Sequence, residues 1–434
     1  MNAVQGLTVL VFVVVFILIA IEAVHRTYAA LAGAFLFVFL GAVKPHELLH
    51  YIDIEILAVI FGLFLLVRGA EKSGLFQLMA IKIMRSSKSP TAFAVILLTF
   101  TVILALFISN IGAMLIMASI TITMARSLKI RPQTLLIFQA MIINVGGMTL
   151  WMGSIPNIII GIEGGLSFMD FVWNMLPLGL ILYGVTILIF VKMFKSDFTP
   201  EPEAEFRNLE FDEWIERAIE VSGLQAFNLN FRMIMAAFVM VLTIVGFMVY
   251  EQFHLTPEFV ALFGGFLMVI LQSRDPSAIL RDIDWSTILF LGSLFVMING
   301  LGSIGIIEIL SQMLSNLLGK SPVPATIILM WLSGIVSSIV DNIPLSTSLA
   351  PIVKDLVFED AWKYLWWGLV AGANLGVNMT PIGSPSSVIA LGVAEQEGYP
   401  ISFNAFLKMG VGLTVLHFII SSVYIYVRYG LIGI

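Results

Sequence analysis

Residues 144–157 read NVGGMTLWMGSIPN, and residues 374–387 read NLGVNMTPIGSPSS. Each stretch places asparagine and glycine inside an apolar run, and follows them with a Gly-Ser pair and a proline. Glycine and proline weaken a helix interior, because glycine adds backbone freedom and proline removes an amide donor. Each stretch therefore predicts a helix that unwinds for several residues and then restarts.

The composition places these broken helices in a lipid bilayer. Hydrophobic residues make up 59% of the chain and charged residues only 12%, and the mean hydropathy is +1.02. A soluble domain is about 25% charged. The 22 Lys and Arg against 28 Asp and Glu leave no basic surface for nucleic acid. The absence of cysteine excludes disulfides and thiolate metal sites. The sequence thus predicts an all-α integral membrane protein.

Apolar runs of about 20 residues mark helices able to cross a bilayer. Two further runs, 91–125 and 323–353, carry polar residues in their middles and predict re-entrant hairpins. The predicted crossings are 7–24, 27–43, 54–70, 133–151, 170–191, 233–253, 257–272, 285–302, 363–380 and 404–427.

The two halves of the chain match when one is shifted by about 230 residues. The two broken stretches fall on each other, the two hairpin tips coincide, and Gly62 falls on Gly292. Internal repeats with Gly- and Pro-interrupted helices at corresponding places are typical of secondary transporters. We therefore predict two repeats with a binding site between them.

The positions of Lys and Arg predict how the repeats are oriented. With ten crossings, five per half, most of the 22 Lys and Arg share one side, which is then cytoplasmic. An odd number of crossings per half makes the halves inverted. The predicted domains are a first repeat (1–195), an acidic cytoplasmic linker (196–231) and a second, inverted repeat (232–434). A rival count, in which 75–88 and 304–318 also cross, fits the charges equally well.

The four breaks predict one polar site near the bilayer centre. Non-helical backbone at that depth is tolerated only inside protein or beside water. Unwound carbonyls can coordinate a cation, and helix N-termini favour an anion or an oxygen-rich solute. The predicted substrate- and ion-binding residues are Ser109, Asn110, Asn144, Gly147, Thr149, Gly153, Ser154, Asn157, Asp341, Asn342, Asn374, Asn378, Thr380, Gly383 and Ser384.

Among these residues, Asp341 is the carboxylate that we predict to lie well inside the membrane. A charge there costs about 2.5 to 3.5 kcal/mol on insertion scales, so such residues usually carry ions or protons. No Lys or Arg lies in the four breaks, and we expect Asp341 to be buried without a countercharge and to act as the coupling group. The alternative is that Asp341 caps the helix that follows it.

These motifs make the chain similar to the ion-transporter superfamily. The residues that carry the resemblance are the two broken stretches, Val340-Asp341-Asn342-Ile343-Pro344, and the downstream segment 397–403. The branch it resembles includes arsenite-efflux permeases, relatives of the melanosomal P protein, and citrate/sodium-symporter-like permeases. The resemblance implies two inverted repeats, each with a hairpin and a broken helix, arranged as a scaffold and an elevator-like transport domain.

The superfamily's Ser-Asn-Thr sodium-site pattern is only partly present. Ser109 and Asn110 match it, whereas Ile111 stands where threonine is common and Asp341 where serine or asparagine often lies. These departures argue against a dicarboxylate symporter and favour proton- or cation-linked exchange. A sodium ion at Asn110 and Asn342 remains a candidate ligand, and no other cofactor is expected.

The sequence predicts a secondary active transporter of a small anion or oxyacid, with arsenite-like export favoured. We expect coupling to protons or sodium, alternating access, and a multi-pass location in the plasma membrane. The alternatives are a citrate- or dicarboxylate-type sodium symporter and a sodium/proton antiporter; a channel and an enzyme are the rivals from other classes. The expected partners are a small solute or ion and the bilayer, with a homodimer as the candidate assembly and no nucleic acid.

Overall fold

The structure is a computed structural model that describes residues 3–21, 23–107, 110–128, 131–194, 213, 216, 219, 229–272, 276–357 and 359–433. Within these ranges every regular element is helical and no strand occurs. The all-α class predicted from the composition is therefore confirmed. Ser109 and most of the predicted linker lie outside the described residues.

The first half contains nine helices in its described ranges. Several begin with a local signal: the Asp53 side chain accepts a hydrogen bond from the Ile56 amide, and Pro90 and Pro156 lie in first turns. The helices are α1 Ala3–Ala20, α2 Arg26–Phe39, α3 Ile54–Ser73, α4 Leu75–Arg85, α5 Pro90–Ala105, α6 Asn110–Leu128, α7 Gln133–Thr149, α8 Ile155–Glu163 and α9 Phe168–Phe194.

The described ranges of the second half contain a similar series. Short 3₁₀ helices occur at Pro45–Tyr51 in the first half and Asp360–Lys363 in the second, and a π-helical turn at Tyr426–Ile432. The helices are α10 Phe231–Val249, α11 Pro257–Gln272, α12 Pro276–Leu280, α13 Trp285–Ser303, α14 Ile306–Leu318, α15 Pro322–Ser337, α16 Asn342–Leu356, α17 Tyr364–Gly376, α18 Pro385–Gln396 and α19 Phe403–Ile425.

The helices break at the four predicted places. α5 ends at Ala105 and α6 begins at Asn110, while α15 ends at Ser337 and α16 begins at Asn342. α7 and α8 are separated by residues 150–154, and α17 and α18 by residues 377–384. Glycine, proline and capping side chains act locally, which explains why the sequence locates these breaks.

Fewer helices qualify as full spans than the ten crossings predicted. Among the described residues, four helices are long and apolar enough to cross a membrane, or up to six if each bent pair counts as one span. One bent pair joins Pro45–Tyr51 to α3 at 57°, and the other joins α14 to α15 at 113°. Six more apolar helices have only 10–17 residues, so hydropathy alone overestimated the length of the regular helix.

The rival count treats 75–88 and 304–318 as membrane crossings, but the helix in each stretch is too short to cross the bilayer alone. α4 has 11 residues and α14 has 13. At about 1.5 Å per residue they span roughly 16 and 20 Å, against about 30 Å for the hydrocarbon core. Their lengths favour the arrangement with fewer crossings.

Four helix pairs organise the core. α5 packs against α7, and α15 against α17, so each hairpin arm contacts the broken helix of its own half. α2 packs against α13, and α3 against α11, so these pairs join the two halves. Glycines allow the close approach: a methyl group on Gly376 would overlap the Gly334 carbonyl oxygen, and one on Gly62 would overlap the backbone of Ala261.

The predicted linker, 196–231, is described only at Glu213, Glu216, Ile219 and residues 229–231. The Arg85 side chain at the end of α4 donates from Nε to Glu216 Oε1 at 2.7 Å and from an Nη to Glu216 Oε2 at 3.0 Å. Ile219 is buried. These contacts place this part of the linker beside α4.

Candidate functional site

The structure brings residues from all four breaks to one cavity of about 120 Å³, called here the first cavity. Its wall includes the N-terminal ends of α6, α8, α16 and α18, and it is completed by side chains of α2, α3 and α13. The residues contributed by the breaks and the helix ends beside them are Phe107, Asn110, Ile111, Met152, Gly153, Ser154, Ile155, Pro156, Ile158, Asn342, Ile343, Ser384 and Pro385.

Four helix N-termini converge on the first cavity and contribute partial positive charge to its wall. The first amides of a helix lack intrahelical acceptors, and the aligned peptide dipoles leave a partial positive charge at that end. α8 begins after Ser154, and α18 after Ser384, each with proline in its first turn. Such an arrangement favours an anionic or oxygen-rich solute.

A layer of asparagines, fully buried or nearly so, lies behind the cavity wall. Asn144 accepts a hydrogen bond at Oδ1 from Asn110 Nδ2 (2.8 Å) and donates from Nδ2 to Asn378 Oδ1 (2.8 Å). Asn378 in turn donates to the Met141 carbonyl at 3.1 Å. Ser384 donates to Asn144 Oδ1 at 3.4 Å. This layer therefore connects the α6 break, the α7 helix and the α17–α18 break.

A second part of the layer holds the α7–α8 break. Asn157 Nδ2 donates to the carbonyls of Gly147 (2.9 Å), Met148 (3.2 Å) and Leu150 (2.8 Å). Asn374 donates to Asn157 Oδ1 at 2.8 Å and accepts from the Ser154 hydroxyl at 2.9 Å. Asn157 thus satisfies backbone carbonyls that the end of α7 leaves without helical partners.

Threonines and glycines fix the shape of the breaks. Thr149 donates to the Gly146 carbonyl at 2.7 Å. Thr380 donates to the Ser338 carbonyl at 2.5 Å and accepts from the Gly383 amide at 3.1 Å, which ties the α17–α18 break to the hairpin.

The glycines of the breaks leave no room for a side chain. A Cβ on Gly153 would lie 2.5 Å from the Gly147 carbonyl oxygen, and one on Gly383 would lie 2.8 Å from the Val377 oxygen. Of the predicted site residues described, Asn110, Gly153, Ser154, Asn342 and Ser384 line the first cavity. The other predicted asparagines, threonines and glycines support the wall from behind, and Asp341 lies at its edge.

Asp341 has a countercharge, so the expectation that it lacks one is wrong. Arg26 Nη1 donates to Asp341 Oδ2 at 3.0 Å, and the other carboxylate oxygen accepts from the Ile343 amide at 2.9 Å. Asp341 therefore caps α16 and forms an ion pair at the same time. The pair was missed because Arg26 lies 315 residues away in sequence, at the start of α2 and outside the four breaks.

Other polar residues of the first cavity were also missed. Arg68 Nη1 donates to Glu71 Oε2 at 2.7 Å, and both residues line the wall from α3. Thr287 and Asp284 line it from the start of α13, where Asp284 accepts from the Thr287 amide at 3.0 Å. Nothing in the sequence near Asp284 indicated that this residue reaches a cavity.

A second cavity, of about 510 Å³, lies on the other side of the ion pair. Arg26 and Pro385 line both cavities, whereas Asp341 and His25 line only the second. The Arg26–Asp341 pair therefore lies at the boundary between them.

The candidate sodium ligands Asn110 and Asn342 both line the first cavity. Asn110 Oδ1 is buried and accepts no hydrogen bond from the described residues. A Cβ on Gly147 would lie 3.0 Å from this oxygen and 3.2 Å from the Gly153 carbonyl oxygen, so two oxygens border the same small space. Such oxygens suit a hard cation. The described residues contain no group of three His, Asp or Glu able to hold a metal ion.

Comparison with known proteins identifies the family. The sequence profile of the CitMHS family, described as citrate transporter, matches residues 16–372. The chain belongs to the CitMHS family. A 46 kDa membrane protein of Mycobacterium leprae is 27% identical over 98% of both chains. An uncharacterized transporter of Mycobacterium tuberculosis is 29% identical over 98% of this chain and 99% of its own length.

More distant relatives agree with the superfamily resemblance. The human P protein is 26% identical over 96% of this CitMHS chain and 59% of its own length. The crystal structure of the Alcanivorax borkumensis YdaH transporter, described as having an unusual topology, has a TM-score of 0.61 with 14% identity, over 94% of this chain and 99% of that one. At that identity the similarity concerns the fold alone. This CitMHS member is therefore a multi-pass membrane transporter of the plasma membrane.

Proposed function

We propose that this CitMHS-family protein is a secondary active transporter of a small anion, coupled to protons or sodium by alternating access. The observation that carries the proposal is the convergence of four helix N-termini on the first cavity. The partial positive charge at these ends attracts an anion.

A small carboxylate or oxyanion fits these features best. The charged side chains of the wall balance, since Arg26 and Arg68 face Glu71 and Asp284, so the helix ends add to the attraction for an anion. A neutral oxyacid such as arsenite gains hydrogen bonds but less electrostatic stabilisation. The family's description as citrate transporter also favours a carboxylate, and arsenite-like export remains the alternative to test.

Two side chains are the basis for proposing sodium or protons as the coupling ion. Asn110 Oδ1, buried and without a hydrogen-bond donor among the described residues, supports a sodium site. Asp341 is the candidate for proton coupling because its carboxylate lines the second cavity. A sodium/proton antiporter is the weaker alternative, since Arg26 compensates the carboxylate that such a mechanism would need for sodium.

We also propose two inverted repeats, with α5–α8 and α15–α18 as the moving transport domain and the remaining helices as scaffold. The pairs α5–α7 and α15–α17 correspond under the repeat shift, as do α2–α13 and α3–α11 with their halves exchanged. The helices that break at the cavity all fall in the first set. The ion pair Lys354–Glu163 (3.0 Å) joins residues near the predicted outer ends of helices, and Lys72–Asp282 (2.5 Å) joins residues near predicted cytoplasmic ends.

The test is uptake into proteoliposomes. Citrate, succinate, acetate and arsenite are supplied outside under an imposed sodium or proton gradient, and counterflow is measured in preloaded vesicles. We expect at least one anion to accumulate and to show counterflow. Flux of every solute without gradient coupling or counterflow would indicate a channel and contradict the proposal.

A matched pair of variants locates the site. Asn342 lines the first cavity, whereas Asn299 on α13 is exposed and donates to the Tyr51 carbonyl at 2.9 Å. Asn342→Ala should reduce uptake by about tenfold or more, because one good hydrogen bond to a charged solute is worth roughly 1.5–3 kcal/mol. Asn299→Ala should leave uptake near the parent rate. Equal uptake by the parent and both variants would show that Asn342 does not bind the solute.

A further inference from the structure

The second cavity lies between α1 and the breaks of the second half, and its wall is mostly apolar. Eight of the eleven described residues that line it are apolar. They come from the end of α1, the loop before α2, the α15–α16 and α17–α18 breaks, and the first turns of α18. The larger ones are Ile19, Val24, Ile339, Ile382, Val388 and Ile389. A wall of this kind binds apolar groups and excludes water.

The second cavity is open on one side. Val24, Ile339, Ile382 and Val388 are between 44% and 62% exposed, so the apolar wall continues onto the outer surface. In a multi-pass membrane protein, exposed apolar side chains contact lipid tails, which are equally apolar. The cavity volume of about 510 Å³ lies within the range of about 300–1,000 Å³ found for small-molecule sites. The cavity is therefore large enough for an organic ligand and can be entered from the bilayer.

Hydrogen-bond donors collect at one end of the second cavity. His25 Nδ1 accepts from the Thr27 amide at 3.4 Å, which leaves Nε2 to donate. Arg26 donates from Nη1 to Asp341 and from Nη2 to Thr287, each at 3.0 Å, and a guanidinium has five N–H donors. Both Asp341 oxygens already accept hydrogen bonds. This end therefore offers donors to an oxygen-rich group.

We propose that the second cavity binds one phospholipid of the membrane. An acyl chain lies along the apolar wall, and the ester and phosphate oxygens lie beside His25 and Arg26. A phospholipid combines the two chemistries that the cavity presents, a long apolar body and a head rich in hydrogen-bond acceptors.

The predicted depths of the lining residues agree with the orientation of a lipid. His25 and Arg26 lie between the predicted crossings 7–24 and 27–43, and thus near a membrane face, where headgroups lie. Ile339 and Ile382 belong to breaks predicted near the bilayer centre. The donors are therefore at the headgroup end, and the apolar wall extends from there towards the chain ends.

Other occupants fit this cavity less well. Apolar cavities stay dry, so ordered water would not fill it. A small anion needs polar partners on several sides, and the first cavity offers more of them. An acyl chain, in contrast, gains dispersion contacts along the whole apolar wall.

The position of the lipid has a consequence for transport, and only this consequence rests on the proposed function. In the proposed division of the molecule, α1 and α2 belong to the scaffold, whereas α15, α16 and α18 belong to the transport domain. The acyl chain lies between the two, so it must rearrange whenever one moves against the other. Binding itself does not depend on which solute is transported.

Native mass spectrometry of the full-length protein, purified in a mild detergent, can test the binding. The probe is phosphatidylcholine with acyl chains of increasing length. We expect one tightly bound phospholipid, with affinity rising about fourfold for each methylene that enters the cavity. Phosphatidylglycerol with the same chains should bind within about threefold of phosphatidylcholine, because Asp341 balances the charge of Arg26.

Three variants locate the bound chain. Ala20→Phe and Val388→Phe narrow the cavity from opposite walls, and each should weaken phospholipid binding about tenfold or more. Val423→Phe is the matched control, because Val423 on α19 is also exposed but does not line the second cavity. It should bind phospholipid like the parent. Unfolding midpoints without added lipid verify that each variant is folded, and if a narrowing variant fails to fold, the chain-length series of the parent decides.

Several outcomes would overturn the inference. These are a parent protein that retains no phospholipid, an affinity that does not change with chain length, and equal losses in Val388→Phe and Val423→Phe. Loss of a second protomer instead of a lipid from Val388→Phe would identify the cavity as a contact between copies of the chain, and would also overturn it. Each of these results leaves the proposed transport function standing, because solute uptake is measured separately.

Discussion

At the residue scale, the polar side chains of the site form two layers with different tasks. Asn110, Asn342 and Ser384 line the first cavity. Asn144 and Asn374 lie behind them, buried completely and engaged through both ends of their amides. Buried amides that are fully hydrogen-bonded hold a shape, because each lost partner leaves a costly unsatisfied group. The unwound segments are therefore preorganised rather than loose.

Asn157→Ala should destabilise the protein strongly. Its amide donates to three carbonyls of the α7–α8 break and accepts from Asn374, and an unsatisfied buried group costs about 1–3 kcal/mol. We expect a loss of at least about 2 kcal/mol, measured as a lower midpoint of thermal unfolding in detergent. Asn299→Ala, the same substitution at an exposed position, should shift the midpoint little. Equal shifts would show that the hydrogen-bonded layer does not stabilise the break.

Sodium should stabilise the parent but not Asn110→Ala. The buried Oδ1 of Asn110 has no hydrogen-bond donor among the described residues and lies near the Gly153 carbonyl oxygen, an arrangement that a bound cation would satisfy. The measurement is the unfolding midpoint in sodium against choline at constant ionic strength. A sodium-dependent increase of the same size in both proteins would place the ion elsewhere.

At the scale of elements, glycines set how closely the helices approach. Gly62 on α3 faces the backbone of Ala261 on α11, with no space for a methyl group. Gly292, its counterpart in the repeat, has Leu57 Cδ1 at 3.8 Å from the position of an added Cβ. Corresponding glycines therefore have different packing roles in the two halves.

The two glycines give a matched test of this packing. Gly62→Ala should destabilise by about 1–3 kcal/mol, because overpacking forces α3 and α11 apart. Gly292→Ala should be neutral, or stabilising by up to about 1 kcal/mol, because alanine favours the helix and the space is open. Unfolding midpoints of both variants check the prediction. Destabilisation by Gly292→Ala as large as by Gly62→Ala would contradict it.

At the scale of the whole molecule, the ion pairs between distant segments fit the predicted sidedness. Lys72 and Asp282 meet near predicted cytoplasmic ends, and Lys354 and Glu163 near predicted outer ends. The first cavity is lined by Arg68 and Glu71, close to Lys72. On the predicted orientation, Arg68 and Glu71 lie on the cytoplasmic side of the first cavity.

Single-cysteine labelling tests that orientation, because the chain has no cysteine of its own. Lys88 and Lys320 are both exposed. A cysteine at position 88 should react with a membrane-impermeant maleimide only in inside-out vesicles, and one at position 320 only in intact cells. Reaction of both from the same side would rule out the ten-crossing inverted topology.

Composition and local motifs were enough to predict the membrane location, the helical class, the superfamily and the positions of the four breaks. Each depends on composition or on local chemistry: glycine and proline weaken helices wherever they stand, and Asp341 caps α16 through the Ile343 amide two residues away. The repeated asparagine and Gly-Ser motifs also indicated that the breaks belong together. Helix lengths were harder to predict. The sequence stays apolar across a break, whereas the backbone hydrogen bonds of the helix stop there.

Which polar groups line the first cavity and which support its wall depends on how the helices pack. Asn144 and Asn110 are both intramembrane asparagines next to a break, yet one is enclosed and the other lines the wall. The tertiary structure also decided the charge of the site, because Arg26 reaches Asp341 across 315 residues of sequence. An ion pair depends on distance in space, and neither residue carries a local signal of its partner. The polar and charged lining of the first cavity therefore arises only when the breaks and α2 come together.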